Sequence, residues 1–217
     1  MIALLRYQAA SLGRSHRWIF PLIAYALLIS VGGTGQGASL AVGLDWSAAI
    51  LVPVVALLTR SMLTAEPGAA KACVAAATSP ARAQLAVLIV AFAGGAVFAL
   101  AGACYELVTS GHAGPQLVPL AEGLVKALVC LLVGSTVGTL FNPPLVRHAA
   151  VALLSTLAAV VLALVSSSSP ASAVLRGNGA AVQSAAWPAG LPLVFAFVLA
   201  AGSWAVSCWL SGRRAAD

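Results

Sequence analysis

The amino-acid sequence predicts an all-α integral membrane protein. Of its 217 residues, 61% are apolar and only 7% are charged, and the mean hydropathy is +1.03. So few polar residues cannot cover the surface of a water-soluble globule of this length. The apolar residues also form continuous runs of about 20 residues, the length that a helix needs to cross a bilayer core, rather than the short alternating segments of a membrane β-barrel.

Windows of about 19 residues identify six candidate transmembrane helices within a single domain, residues 1–217. In chain order they are Trp18–Gln36, Gly43–Leu63, Gln84–Glu106, Pro119–Phe141, Arg147–Val165 and Pro188–Leu210. Two of them carry small residues four positions apart, a spacing that lets helix backbones approach closely in lipid. These rows are Ala91, Gly95, Ala99 and Ala103 in the third span and Gly134 and Gly138 in the fourth. We expect them mainly to pack helices within the chain, with a seam between two copies as the alternative.

The basic residues predict the orientation, because short loops rich in Lys and Arg stay on the cytoplasmic side of a membrane. Six crossings place both termini on one side, and nine of the eleven basic residues then fall on that side, leaving Lys126 and Arg176 elsewhere. We therefore expect a multi-pass protein of the plasma membrane with cytoplasmic termini. Its net charge of +6 indicates contact with anionic lipid rather than with nucleic acid.

Residues 1–17 predict an amphipathic helix that lies on the inner leaflet. Its apolar residues recur at a one-sided helical spacing, at Ile2, Leu5, Ala9 and Leu12. Cations occupy much of the remaining surface, at Arg6, Arg14 and Arg17. Two interpretations remain open, a plain topology determinant and an interfacial helix that contacts a cytoplasmic partner.

A polar stretch, residues 64–82, separates the second and third spans and predicts a short cytoplasmic helix. Pro67 suits a first helical turn, and residues 68–77 are rich in alanine. Ser79 stands in the N-cap position of the following helix, with Pro80 at its first position. A helix of about 11 residues is marginal in water without packing, and a protein groove accepts small side chains better than lipid does. We expect this stretch to dock on a partner through Glu66, Lys71, Thr78, Ser79 and Arg82.

Ionisable residues near the other ends of the spans predict a polar mouth on the outer side. Glu122 and Lys126 stand four positions apart on one helix, close enough to pair. Glu106 ends the third span and Asp45 begins the second, at a similar depth. Because charge near a bilayer is costly, these four residues are either a structural ion-pair group or part of substrate passage and outer gating.

The sequence lacks motifs for catalysis or metal binding. The segment GGTGQG, residues 32–37, has neither the lysine nor the preceding strand of a phosphate-binding loop. Histidines fall in loops or at span ends, and the spacing of Cys73, Cys104, Cys130 and Cys208 fits neither a zinc site nor a disulfide framework. We expect no catalytic residue, no metal and no enzyme activity in this chain alone.

The chain also resembles a known family. The stretches that carry the resemblance are LLRYQAASLGRSHRWIFPLIAYALL near the start, LTRSMLTAEPGAAKACVAAATSPARAQL after the second span and NPPLVRHAAVALL before the fifth. With the six-span plan they cover nearly the whole chain. They are similar to the membrane (permease) subunits of type-2 ATP-binding cassette exporters, particularly the small alanine-rich actinobacterial type.

The resemblance implies a subunit that forms half of a translocation path and works by alternating access. It would pair with a second permease subunit, identical or related, and dock on separate ATPase subunits that bind ATP and Mg²⁺, with no cofactor in this chain. By position, residues 66–82 would be the coupling helix, residues 2–17 would brace it, and a short helical gate would lie within the outer loop, residues 166–187. There are two alternatives to the hypothesis of an exporter permease. One is an ion-coupled secondary carrier or channel, and the other is a non-transporting scaffold or immunity-type membrane protein.

Overall fold

The computed structural model describes most of the chain, namely residues 2–32, 39–65, 73–74, 77–109, 117–141, 149–166, 169–175 and 190–213. In this part of the chain every regular element is an α-helix, as the sequence predicts. The helices are α1 (Ile2–Arg14), α2 (Ile19–Gly32), α3 (Leu40–Leu63), α4 (Pro80–Thr109), α5 (Leu117–Leu140), α6 (Ala149–Val165), α7 (Pro170–Leu175) and α8 (Leu191–Arg213).

Four of these helices, α3, α4, α5 and α8, are long and apolar enough to cross a membrane. Helices α1 and α2 meet that criterion only as a pair, and the pair is bent by 68°. Helix α6 is shorter, so the described residues provide four spanning helices, or five if the bent pair forms one span. Each predicted span overlaps one helix, but the total of six crossings stays a prediction.

Helix α3 lies at the centre of the bundle. Most of its side chains are apolar and 15 of its 24 residues are buried, whereas Val42 and Trp46 near its start are exposed. The side chains of Leu51, Val52, Val55 and Leu58 are at most 1% exposed. Helices α2, α4 and α5 surround α3 and complete this core.

Glycines let α5 and α4 approach α3 closely. A Cβ atom added at Gly134 would lie 2.8 Å from the Val52 carbonyl oxygen, and one added at Gly138 would lie 2.8 Å from the Ala56 carbonyl oxygen. On α4, a Cβ at Gly95 would lie 3.0 Å from the Val55 side chain. The interpretation of these small-residue rows as packing surfaces within the chain is therefore confirmed.

Contacts between helix ends show which ends lie together. Arg17, just before α2, donates to the Thr64 carbonyl oxygen just after α3 at 3.0 Å. Gln84, early in α4, donates to Ser207, late in α8, at 3.1 Å. We call this the basic end of the bundle, because all the arginines among the described residues lie there: Arg6, Arg14, Arg17, Arg60, Arg82 and Arg213.

The opposite end, which we call the acidic end, holds the described carboxylates. Asp45 lies in the second turn of α3, Glu106 in the last turn of α4 and Glu122 early in α5, and Lys126 is the one described cation at this end. Across it, the Trp46 indole donates to the Leu28 carbonyl oxygen of α2 at 3.1 Å. Apart from Lys126, the charges of the described residues are thus separated by sign between the two ends.

The outer faces of the bundle are apolar. Large side chains such as Leu154 and Leu162 on α6 and Phe197 and Val198 on α8 are between 60% and 67% exposed. Apolar surface of this extent is compatible with a multi-pass membrane protein, in which lipid chains cover it. Helix α7 falls at the start of the predicted outer loop, and residues 176–187 of that loop lie outside the described part of the chain.

We expect Gly134→Ala to destabilise the protein, because the new methyl group would meet the backbone of α3. Overpacking of this kind typically costs about 1–3 kcal/mol. The matched control is Gly202→Ala on α8, where an added Cβ has nothing within 4 Å and alanine is favoured in a helix by about 1 kcal/mol. Thermal unfolding in detergent compares the two variants, and equal midpoints would contradict the close contact between α3 and α5.

Candidate functional site

The acidic end brings together ionisable side chains from four different helices. Tyr25 comes from α2, Asp45 from α3, Glu106 from α4 and Lys126 from α5. We call these four residues the polar cluster. Ionisable groups inside a bundle of apolar helices are costly unless they are paired, so their partners decide what the cluster does.

Asp45 and Lys126 form an ion pair across the interface between α3 and α5. Lys126 Nζ lies 2.6 Å from Asp45 Oδ1, and the two side chains are only 11% and 18% exposed. Gly123, one turn before Lys126, permits this pairing because a Cβ there would overlap the Leu44 side chain at 2.7 Å. The spacing of the sequence favoured Glu122 as the partner of Lys126, whereas the structure pairs Lys126 with Asp45 and leaves Glu122 exposed.

Glu106 is the most buried residue of the polar cluster. Its side chain is 3% exposed, and its carboxyl group packs against Gly43 of α3, where an added Cβ would overlap Oε2. The other carboxyl oxygen, Oε1, is buried and has no hydrogen-bond partner. A buried polar atom without a partner costs about 1–3 kcal/mol and is rare in a folded protein, so this position needs an explanation.

Tyr25 is the member of the cluster that sequence reasoning missed. It is 4% exposed, its ring stacks on Phe98 with centroids 5.9 Å apart, and its hydroxyl lies against Gly102, one turn before Glu106. The sequence does contain a signal for this residue. Tyr25 is a lone tyrosine within the apolar first span, and a buried tyrosine hydroxyl group needs a polar neighbour.

The predicted docking residues divide between described and undescribed parts of the chain. Ser79 accepts a hydrogen bond from the Arg82 backbone nitrogen at 3.3 Å, and α4 begins at Pro80, which confirms the predicted N-cap. Thr78 closes a helical turn by donating its backbone nitrogen and its hydroxyl to the Val74 carbonyl oxygen, at 3.1 Å and 2.9 Å. Glu66 and Lys71 lie outside the described residues.

Helix α1 packs on the basic end of the bundle through only part of its apolar row. Leu5 and Leu12 contact an apolar cluster that includes Met62 and Leu63 at the end of α3 and Leu88 of α4. The buried residue between them is Gln8, which is 2% exposed, whereas Ile2 and Ala9 of the predicted apolar row are exposed. The contact face is therefore rotated, because Leu5, Gln8 and Leu12 share one side of a helix at spacings of three and four residues.

The three interfacial arginines have different surroundings. Arg17 donates to the Thr64 carbonyl oxygen, as described above, and Arg14 lines a shallow groove on α1 together with Tyr7 and Ser11. Arg6 is exposed. Within the described ranges, no group of three or more His, Cys, Asp or Glu side chains is placed to hold a metal ion.

The fold and the polar cluster define a helical protein that is compatible with a multi-pass position in a membrane. No protein-family model, no curated protein and no solved structure matches the chain. Any more specific function therefore depends on the geometry of the two ends of the bundle.

We expect Asp45→Asn to destabilise the protein, because it leaves the Lys126 ammonium in a largely buried position without its carboxylate. Breaking a fully buried pair costs about 3–5 kcal/mol, and the partial exposure of this pair reduces the expected loss to about 1–3 kcal/mol. Glu122→Gln is the control, since an exposed substitution changes stability by about 0.5 kcal/mol or less. Thermal unfolding of both variants, and recovery in Asp45→Asn/Lys126→Met, checks the pair. Equal loss in Asp45→Asn and Glu122→Gln would refute it.

Proposed function

We propose that the chain is the permease subunit of an ATP-driven cassette exporter, with six transmembrane helices and both termini in the cytoplasm. It forms half of the translocation path in the plasma membrane and pairs with a second permease subunit. A separate ATPase subunit, which binds ATP and Mg²⁺, docks on the segment between α3 and α4. The observation that carries this proposal is the placement of α1 at the basic end, where it packs on α4 and on an apolar cluster that includes the end of α3.

The first part of the argument is the position of α1. The chain turns sharply between α1 and α2, where His16 takes a left-handed backbone conformation with φ of 51°. Asparagine, aspartate and histidine are the non-glycine residues that adopt this conformation most readily. The resulting bend of 68° places α1 across the basic end instead of extending α2. An amphipathic helix in this position suits the plane of a membrane interface.

The second part is the attachment of both ends of the segment between α3 and α4. At one end, the Arg17 guanidinium donates to the Thr64 carbonyl oxygen, and Leu5 and Leu12 of α1 pack on an apolar cluster in which Met62 and Leu63 of α3 meet Leu88 and its neighbours in α4. At the other end, Ser79 caps α4. A partner that pushes on the segment would therefore move α3 and α4 together with α1, rather than only deform a loop.

The third part is the central position of α3. A force applied after Leu63 acts on the helix that contacts α2, α4 and α5 at once. Rigid movement of packed helices is a recurrent way for small shifts at one site to reach another site. The proposed exporter uses this connection for alternating access, with energy from ATP hydrolysis in the partner subunit.

The test uses the tagged chain purified in mild detergent from the membranes of its source organism. We expect an ATPase to co-purify, and we expect replacement of residues 66–76 by a Gly-Ser linker of equal length to lower the amount bound at least tenfold, a loss of about 1.4 kcal/mol or more. We expect Arg17→Ala to lower the amount of bound ATPase by a smaller factor, because this change removes only the exposed hydrogen bond from Arg17 to the Thr64 carbonyl oxygen.

The control is Arg213→Ala, which removes a cation at the same end whose guanidinium stacks on the Trp209 ring at 3.9 Å. It should leave ATPase binding unchanged. Purified complexes that keep the ATPase and hydrolyse ATP normally after the linker replacement would disprove the docking role. Ion-driven transport by liposomes that contain this chain alone would instead support a secondary carrier.

A further inference from the structure

The polar cluster contains one more negative charge than positive charge when all its carboxyl groups are ionised. Asp45 and Lys126 balance each other at 2.6 Å. Glu106 is then the acidic side chain of the cluster whose charge no described contact compensates, and it is also the one that is 97% buried, since its exposure is 3%. An isolated buried carboxylate is among the most costly groups that a protein can contain, and such groups become neutral instead.

The packing around Glu106 also fits a neutral carboxylic acid better than a carboxylate. A carboxylate stabilises its charge by accepting two or three hydrogen bonds, and here Oε1 accepts none. The other oxygen, Oε2, faces the backbone of α3 at Gly43. These surroundings favour the neutral acid, which has no charge to compensate.

The ionisable neighbours of Glu106 can be named helix by helix. Helix α2 presents Tyr25, α3 presents Asp45, and α5 presents Lys126, the exposed Glu122 and, one turn beyond Lys126, the buried thiol of Cys130. On α4 itself, Cys104 and Tyr105 are exposed. Helices α1 and α8 also contact α4, but the ionisable residues of α1 lie at the basic end and α8 has none before Cys208. Lys126 is the one cation in this set, and Asp45 already holds it.

We propose that Glu106 is a proton-binding site that holds a proton while α3 and α4 are packed at the acidic end and releases it to water when that contact opens. Opening moves Gly43 away from Oε2 and admits water, which then hydrates the carboxylate. The step transfers only a proton between Glu106 and solvent, so it needs no other reactant. It does not depend on the ATPase, and it applies to an exporter subunit and to a carrier equally.

The direct test is infrared spectroscopy of the full chain in phosphatidylcholine vesicles at neutral pH. A protonated carboxyl group has a C=O stretch that carboxylates lack, and a C=O that accepts no hydrogen bond absorbs at a higher wavenumber than one that does. We expect such a high-wavenumber band in the wild type and its loss in Glu106→Gln. Glu122→Gln, at the exposed carboxylate of this end, should keep the band. Its absence from the wild type, or its persistence in Glu106→Gln, would overturn the proposal.

A second measurement covers the case in which a variant folds poorly. If the folded protein holds a proton on Glu106 that the unfolded chain releases, the folded state binds more protons, and stability must fall as pH rises. We expect the thermal midpoint of the wild type to decrease from neutral to alkaline pH, and the midpoint of Glu106→Gln to decrease less. Parallel pH profiles of the two proteins would exclude the site, whatever their absolute stability.

Discussion

The close contact between α3 and α5 is the constraint on which the rest of the structure depends. Gly134 and Gly138 bring the α5 backbone against the carbonyl oxygens of Val52 and Ala56, and Gly123 continues this approach towards the acidic end. Helices in lipid gain little from burying apolar groups, so close backbone packing and polar contacts hold them together. The same approach brings Lys126 within 2.6 Å of Asp45, which makes the ion pair a consequence of the glycine row.

The two ends of the bundle use polar groups in different ways. At the basic end the polar contacts fasten segments to one another, as in the bond from Arg17 to Thr64 and the bond from Gln84 to Ser207. At the acidic end the ionisable groups face inward, and Oε1 of Glu106 is a buried carboxyl oxygen without a partner, whereas further unpartnered buried atoms among the described residues, in indole and hydroxyl groups, lie nearer the basic end. The hydrogen bonds between segments stabilise the packing of helix ends. A buried carboxyl oxygen without a partner destabilises the folded state, and binding of a proton or a local movement relieves that cost.

The sequence predicted the features that local chemistry decides. Apolar runs placed the long helices, and Ser79 with Pro80 placed the start of α4, because hydropathy and helix capping depend on neighbouring residues. Features that depend on packing between helices were not accessible in the same way. The partner of Lys126 is set by the register of α3 against α5, and the contact face of α1 is set by where Leu5 and Leu12 meet the end of α3. The sequence therefore identified these residues, but only the three-dimensional structure shows which residues they contact.

Helix α3 joins the two candidate sites. Its last residue precedes Thr64, which Arg17 holds, and its first turns carry Gly43 and Asp45, which contact Glu106 and Lys126. Its 24 residues extend over about 36 Å, so this one helix connects the two ends of the bundle. In the proposed exporter, a tilt of α3 that begins at the docking segment changes the Gly43 contact with Glu106 at the far end. Linkage requires the reverse as well, so protonation of Glu106 would bias the position of the docking segment.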